Sequence, residues 1–407
     1  MTSIMLSSNA NSAMIQTIEA SDSRRNPNVY STETIYPAHA MTWVKCEKSS
    51  GTIGTGSQLN FQLQKYGIIS QMLLCYTKKF AAAPTVTVNA LPAGDIFKTI
   101  RQVELLASSK TVSILTAEDL MAQFSDCKQS EFNVVRETAL SKRDGVIGGT
   151  TQKYVIPLTF AFFESINTQL DSSFLEPLQI RITWGTPTSS DAGATSYAAE
   201  PIADCHLLMR YKNYDEQTTA SMISANYSAP QLNQLSSRFY DEAKQTHTVA
   251  PGDEGVQKVD IDLKNTECVE SFYVIVREKH ADSTADAVTV TPCKTFLFTG
   301  SGQQICDLSE TQLQYARLGM DGWSEAVDNT VAASGCQLSA IAKVQLGLNH
   351  KGMVSNCLSL REVNAPRISV TFDAPAAADY EITCVQKVLA VYATSSATGR
   401  LSLALSN

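Results

Sequence analysis

The chain has 407 residues, 32 of them basic and 40 acidic, for a net charge of −8, and 43% of it is hydrophobic. The acidic balance argues against a coat that wraps phosphate directly, because nucleic-acid binding draws on clustered Lys and Arg. The richest apolar runs, Ile156 to Phe163 and Phe272 to Val276, fall short of the roughly 18 residues a membrane helix needs, and the length favours two domains of about 200 residues each.

Residues 1–40 are rich in Ser, Asn, Thr and Ala, with little periodicity. They read as a flexible arm ordered on contact with neighbours. Arg24 and Arg25 are its assembly candidates, but Glu19, Asp22 and Glu33 offset them, so the arm cannot neutralise much phosphate. The start lacks the cationic and apolar regions of a secretory signal, so the expected site of synthesis is the cytoplasm. Ten cysteines are scattered without a CxxC pair, several inside apolar strand-like runs, and read as free, buried thiols in a reducing compartment.

From residue 41 on, the chain repeats itself. The alternating strand at 58–64 and the apolar strand at 67–76 lie over 258–264 and 267–276 at an offset of 200. Residues 103–109 and 115–120 lie over 296–302 and 308–313 at an offset of 193. Each of these copies reads as a strand, a Ser/Gly-rich turn and a short helix opened by Thr116 or Ser309, with a capping-box pattern at Ser309 and Gln312. Residues 178–187 lie over 366–375 at 188, both ending Thr-aromatic-x-x-Pro, and 207–211 over 388–392 at 181. Four matches in one order, with a steadily shrinking offset, are the mark of two copies of one fold.

Strand-forming residues concentrate in short runs punctuated by Gly, Pro, Ser and Asp, while long amphipathic helices are nearly absent. The expected fold is all-β: two tandem jelly-roll β-sandwiches with short helices in loops. The expected boundaries are a first jelly-roll at 41–215, a linker at 216–237, a second jelly-roll at 238–396 and a C-terminal tail at 397–407. In that tail Leu401, Leu403 and Leu405 alternate with small residues. Such a segment can add to the sheet edge of another subunit or close its own domain. The polar stretches Ala281 to Ala287 and Asp321 to Ser334 are candidate surface loops.

The proline-bearing strand Tyr154–Phe163, the segment Phe174–Leu178, the strand Ile180–Trp184 and the closing strand Leu207–Tyr211 together resemble the double jelly-roll major capsid proteins of tectivirus-like phages, virophages and large double-stranded DNA viruses. The second copy departs from the pattern, since Ala340–Leu348 lacks the proline. The resemblance implies a homotrimeric capsomer in an icosahedral virion shell, usually around an internal membrane and a DNA genome. Its implied partners are neighbouring capsomers, minor capsid or penton proteins and internal viral membrane proteins, with no direct sequence-specific contact to nucleic acid. Duplication suits this use, because a trimer of two-lobed chains presents six similar lobes.

No catalytic, cofactor or metal site is expected. The five histidines are isolated, and Cys205 and His206, as strand neighbours, point to opposite faces. Asp260 and Asp262 read as a solvated strand face, Pro251–Gly255 as a turn, and Gly51–Gly56 as a loop rather than a phosphate cradle. The alternatives to a major capsid protein are a tandem β-sandwich glycan-binding or attachment protein, which three Trp support poorly, and a minor capsid or vertex protein.

Overall fold

A computed structural model describes residues 40–80, 95–126, 151–160, 170–185, 197–214, 231–264, 267–279, 290–316, 338–346, 357–395 and 397–404, together with a few isolated short pieces. Strands of four or more residues fall into two sets. The first comprises β1 (Ala40–Glu47), β2 (Gln58–Gln62), β3 (Ile68–Phe80), β4 (Ile100–Ala107), β5 (Lys110–Thr116), β6 (Thr151–Pro157), β7 (Leu178–Trp184) and β8 (Tyr197–Asn213). The second comprises β9 (Gln231–Thr248), β10 (Gly255–Asp262), β11 (Cys268–Lys279), β12 (Cys293–Gly300), β13 (Gln303–Ser309), β14 (Ala342–Gln345), β15 (Arg367–Ala374) and β16 (Asp379–Ser395), followed by β17 (Leu401–Ala404). Three short helices accompany them: α1 (Asp95–Thr99), α2 (Ala117–Ser125) and α3 (Glu310–Ala316).

In the first lobe the sheet β1-β8-β3-β6 faces the sheet β2-β7-β4-β5. In the second lobe β9-β16-β11-β14 faces β10-β15-β12-β13. The two orders are the same, strand for strand, and all pairings are antiparallel. Each lobe is therefore an eight-stranded jelly roll, and the chain is a double jelly roll.

Details repeat as well as topology. The β4–β5 hairpin turns at Ser108 and Ser109 (φ 44° and 69°), and the β12–β13 hairpin at Ser301 and Gly302 (φ 54° and 74°). Two successive positive φ values match a tight hairpin turn to the twist of its strands. Both helices after these hairpins are hydrogen-bonded back to the preceding residue. Thr116 Oγ1 accepts from Asp119 N at 3.2 Å while Asp119 Oδ2 accepts from Thr116 N at 2.9 Å, and in the second copy Gln312 Oε1 accepts from Ser309 N at 2.8 Å.

The ladder registers agree with offsets 200, 193 and 188: Leu59 faces Ile182 as Val259 faces Val370, and Val103 faces Leu115 as Phe296 faces Leu308. The last match needs correction. Tyr211 stands opposite Ile69 and Val388 opposite Val269, each beside a one-residue bulge. The equivalence is therefore Tyr211 with Val388, an offset of 177 rather than 181. A slip of four residues leaves every side chain on its own face, so strand alternation alone does not detect it.

Alternate residues of the facing sheets fill each core. Trp184 is fully buried and meets Tyr76 edge-on at 6.0 Å, while Tyr76 stacks on Tyr154 at 5.1 Å. Phe372, at the position matching Trp184, meets Tyr380 at 5.2 Å, and Phe272 meets Phe298 at 5.2 Å. Each such ring contributes about 1.5–3 kcal/mol by leaving water.

Three segments differ from the sequence expectations or lie outside them. Residues 231–237, expected in the linker, are the start of β9 and pair with β16 from Gln231↔Ser395 onward; backbone pairing along β16 overrides their polar composition. Of the expected arm, Met5–Leu6 and Ile15–Gln16 form a small ladder with each other, and Arg24 and Arg25 lie outside the described residues, as do the candidate surface loops. The tail is the third. β17 pairs with β16 of its own chain, from Thr394↔Leu401 to Val391↔Ala404, after a turn closed by Gly399 N to Ser395 O at 2.8 Å. Leu401 is buried, Leu403 is half-buried, and Leu405 lies outside the described residues. Within the single chain the tail takes the second of its two expected readings, a strand completing its own sheet, because the turn returns it to the flank of β16 beyond the end of β11.

Candidate functional site

The feature that distinguishes the two lobes is the junction between them. α2 leaves the β4–β5 hairpin of the first lobe, and all nine of its residues are buried. It packs on β9, β11 and β16 of the second lobe, while β5 lies against β9 and β17. The residues it covers are those that alternation turns away from the second core. Phe239, Tyr273, Ile275 and Val385 are at most 8% exposed and belong to the apolar cluster of the first lobe. Phe239 and Tyr273 are 5.9 Å apart between ring centres.

Charges border this apolar contact. Glu118 of α2 accepts from Arg277 at 3.3 Å and pairs with Lys244 at 3.4 Å, and Arg277 also reaches Glu381 at 2.8 Å. At the other end of α2, Asp126 accepts from the Tyr273 hydroxyl at 3.0 Å and pairs with Lys343, whose ammonium lies 5.8 Å from the centre of the Tyr273 ring. Burial, with the Asp126 carboxylate beside it, pushes the Tyr273 phenol well above its ordinary pKa. Tyr273 thus stays a hydrogen-bond donor, and each of these border charges has an opposite partner.

None of these residues was singled out from the sequence, although the repeat contained the signal. Glu118 matches Thr311 and Arg277 matches Thr77. Charges present in one copy and absent from the other mark a surface that only one copy buries.

Among the described residues, nothing packs on the matching face of the first lobe as α2 does on the second. Along β1, Met41 and Trp43 are 43% and 45% exposed, and Arg210 lies over the Trp43 ring at 5.8 Å. Beside them Leu208, Gln71, Leu73, Val155 and Pro157 are half-buried, and Lys45, Lys153 and Lys212 ring the patch.

The sites weighed for chemistry carry structural roles. Cys205 faces the core, where burial pushes its thiol up to about 12, while His206 Nδ1 sits 2.8 Å from Asp204 O on the other face. Asp262 pairs with Arg367 at 2.7 Å and Asp260 accepts from Ser369, both across the ladder from β10 to β15. In the 51–56 loop, Gly51 (φ 100°) lies so close to β2 that a Cβ would stand 2.1 Å from Gln58 O. Among the described residues no group of three or more His, Cys, Asp or Glu could hold a metal ion, and no helix is long and apolar enough to cross a membrane.

No family model and no curated protein sequence matches the chain. Solved structures do. PBCV-1 VP54, whose crystal structure was fitted into a cryo-EM reconstruction of the virophage Sputnik, superposes with a TM-score of 0.69 at 11% identity, covering 93% of this chain and 99% of that one. The chain has the double jelly-roll fold of viral major capsid proteins. The mavirus major capsid protein matches with a TM-score of 0.58 at 12% identity over 96% of this chain and 95% of its own. The Faustovirus major capsid protein matches with 0.58 at 9% identity over 92% and 94%. At such identities the shared property is the fold, reached through different side chains.

Proposed function

We propose that this chain is a major capsid protein, a structural rather than enzymatic subunit, and that three copies form a pseudo-hexagonal capsomer of an icosahedral virion shell. The observation that carries this reading is the duplication itself: one chain holds two eight-stranded sandwiches of identical strand order. Three such chains around a three-fold axis present six like lobes, which tile nearly as a hexagon. The solved proteins of the same fold are major capsid proteins, which supports the same use here. Neighbouring capsomers and minor capsid proteins are then its partners, and the net charge of −8 leaves contact with the genome to other layers, an internal membrane among them.

The test is the mass of the purified chain in solution, followed by electron microscopy. The expected species is three times the 44.2 kDa chain, with a six-lobed outline in projection. A stable monomer that binds sugars and forms no higher assembly overturns the reading.

A further inference from the structure

The two lobes share one strand order yet differ in what covers them. The outer face of β9-β16-β11-β14 is sealed by α2 and β5 of the preceding lobe. On the corresponding face of β1-β8-β3-β6 no described element does the same, and Met41 and Trp43 are 43% and 45% exposed. The reverse holds for the elements that do the sealing. α2 is buried throughout, and Val112 of β5 is 4% exposed. Their counterparts in the second lobe lie open: Glu310, Thr311 and Gln312 of α3 are exposed where Ala117, Glu118 and Asp119 of α2 are buried, and Ile305, which matches Val112, is 43% exposed. One chain therefore carries both halves of an unmade junction, one on each lobe.

We infer that the open outer face of β1-β8-β3-β6 in one subunit receives the β12–β13 hairpin and α3 of a second copy of this chain, repeating between chains the junction made within it. The inference rests on the trimer reading above and names its contact surface. Such a contact is head-to-tail, and head-to-tail contacts close into a ring when the rotation permits.

Two further observations favour this occupant. Charge is complementary: the open face carries Lys45, Lys153, Arg210 and Lys212 against Glu47, whereas residues 300–316 carry Asp307 and Glu310 and no Lys or Arg before Ala316. The positions matching the buried ion pairs differ too. Glu118 and Arg277 become Thr311 and Thr77, Lys343 becomes Pro157, and Lys244 becomes Glu47, which pairs with Lys45 of its own strand at 2.6 Å. The open surfaces can therefore meet without burying an unpaired charge at those positions. A junction without that network separates more readily than the one within the chain, as befits a contact formed after folding.

The experiment compares the full-length chain with Trp43→Glu on one face and Ile305→Glu on the other, by native mass spectrometry and sedimentation, with circular dichroism to verify folding. Both side chains are exposed, so the monomer tolerates the changes. The expected result is a wild-type trimer and, for each variant, association weakened about tenfold or more. Mixing the two variants restores one intact contact per pair, giving a one-to-one heterodimer that does not close. A second measurement needs no variant. A zero-length carbodiimide cross-linker applied to wild type assembled from isotopically light and heavy chains is expected to join Lys45 or Lys212 of one chain to Asp307 or Glu310 of another. Variants that trimerise like wild type, or inter-chain cross-links found only elsewhere, overturn the inference and leave the capsid reading standing. A wild-type chain that stays monomeric overturns both.

Discussion

Tyr273 and Leu73 occupy the same position in the two lobes, each on the third strand of its lobe and each pointing away from its own core. Tyr273 is 1% exposed under α2 and hydrogen-bonded to Asp126, whereas Leu73 is half-buried on an open sheet. The strand is the same; the neighbour is not. A jelly roll thus has two faces on its first sheet, and whether the outer one is core or surface depends on the lobe next to it in the chain. In this chain the first lobe covers the second, and nothing within the described residues covers the first in return.

Truncating the matched pair tests that difference most directly. Tyr273→Ala removes a buried ring and leaves Asp126 with one fewer donor, and it is expected to cost about 3–5 kcal/mol. Leu73→Ala, measured on the monomer, is expected to cost under about 1 kcal/mol. Calorimetric unfolding of the two variants checks the contrast, and comparable losses would mean that the first-lobe face is covered within the chain after all.

The charged border provides a smaller effect of the same kind. Glu118→Gln removes the negative charge shared by Arg277 and Lys244 and is expected to cost about 1–3 kcal/mol, Arg277 retaining Glu381. Thr311→Val, at the matching position of α3, is expected to change monomer stability by less than about 0.5 kcal/mol. Chemical denaturation in low and high salt separates this partly buried network from screened surface charge, since salt is expected to narrow the difference only slightly.

The smallest expected effect concerns a place where the lobes differ in chemistry but not in conformation. The second turn residue is Ser109 in one hairpin and Gly302 in the other, both at positive φ. A side chain costs energy there and glycine does not. Ser109→Gly is expected to stabilise the first lobe by about 0.5–1 kcal/mol, and Gly302→Ser to destabilise the second by a similar amount. Thermal melting of the two variants checks the opposite signs.

Much of this molecule was legible in the amino-acid order. The two copies, the strand-turn-helix at 103–120 and 296–313 and the helix starts at Thr116 and Ser309 all come from alternation, turn residues and capping patterns, which are properties of a few neighbouring residues. The junction was only half legible. Glu118 against Thr311 and Arg277 against Thr77 record that one surface is buried and its twin is not, yet nothing local says which element covers it.

Residue order alone specifies how many lobes there are, which segments are strands and which side chains face a core, because each of these depends on a period of two read over short runs. The equivalence of Tyr211 with Val388, the pairing of Leu401–Ala404 with its own β16 and the sealing of Tyr273 by α2 emerged only from the folded chain. A strand can slip by an even number of residues, or take any free sheet edge, without moving a single side chain to the wrong face. Register and contact are therefore chosen by partners far away in the chain.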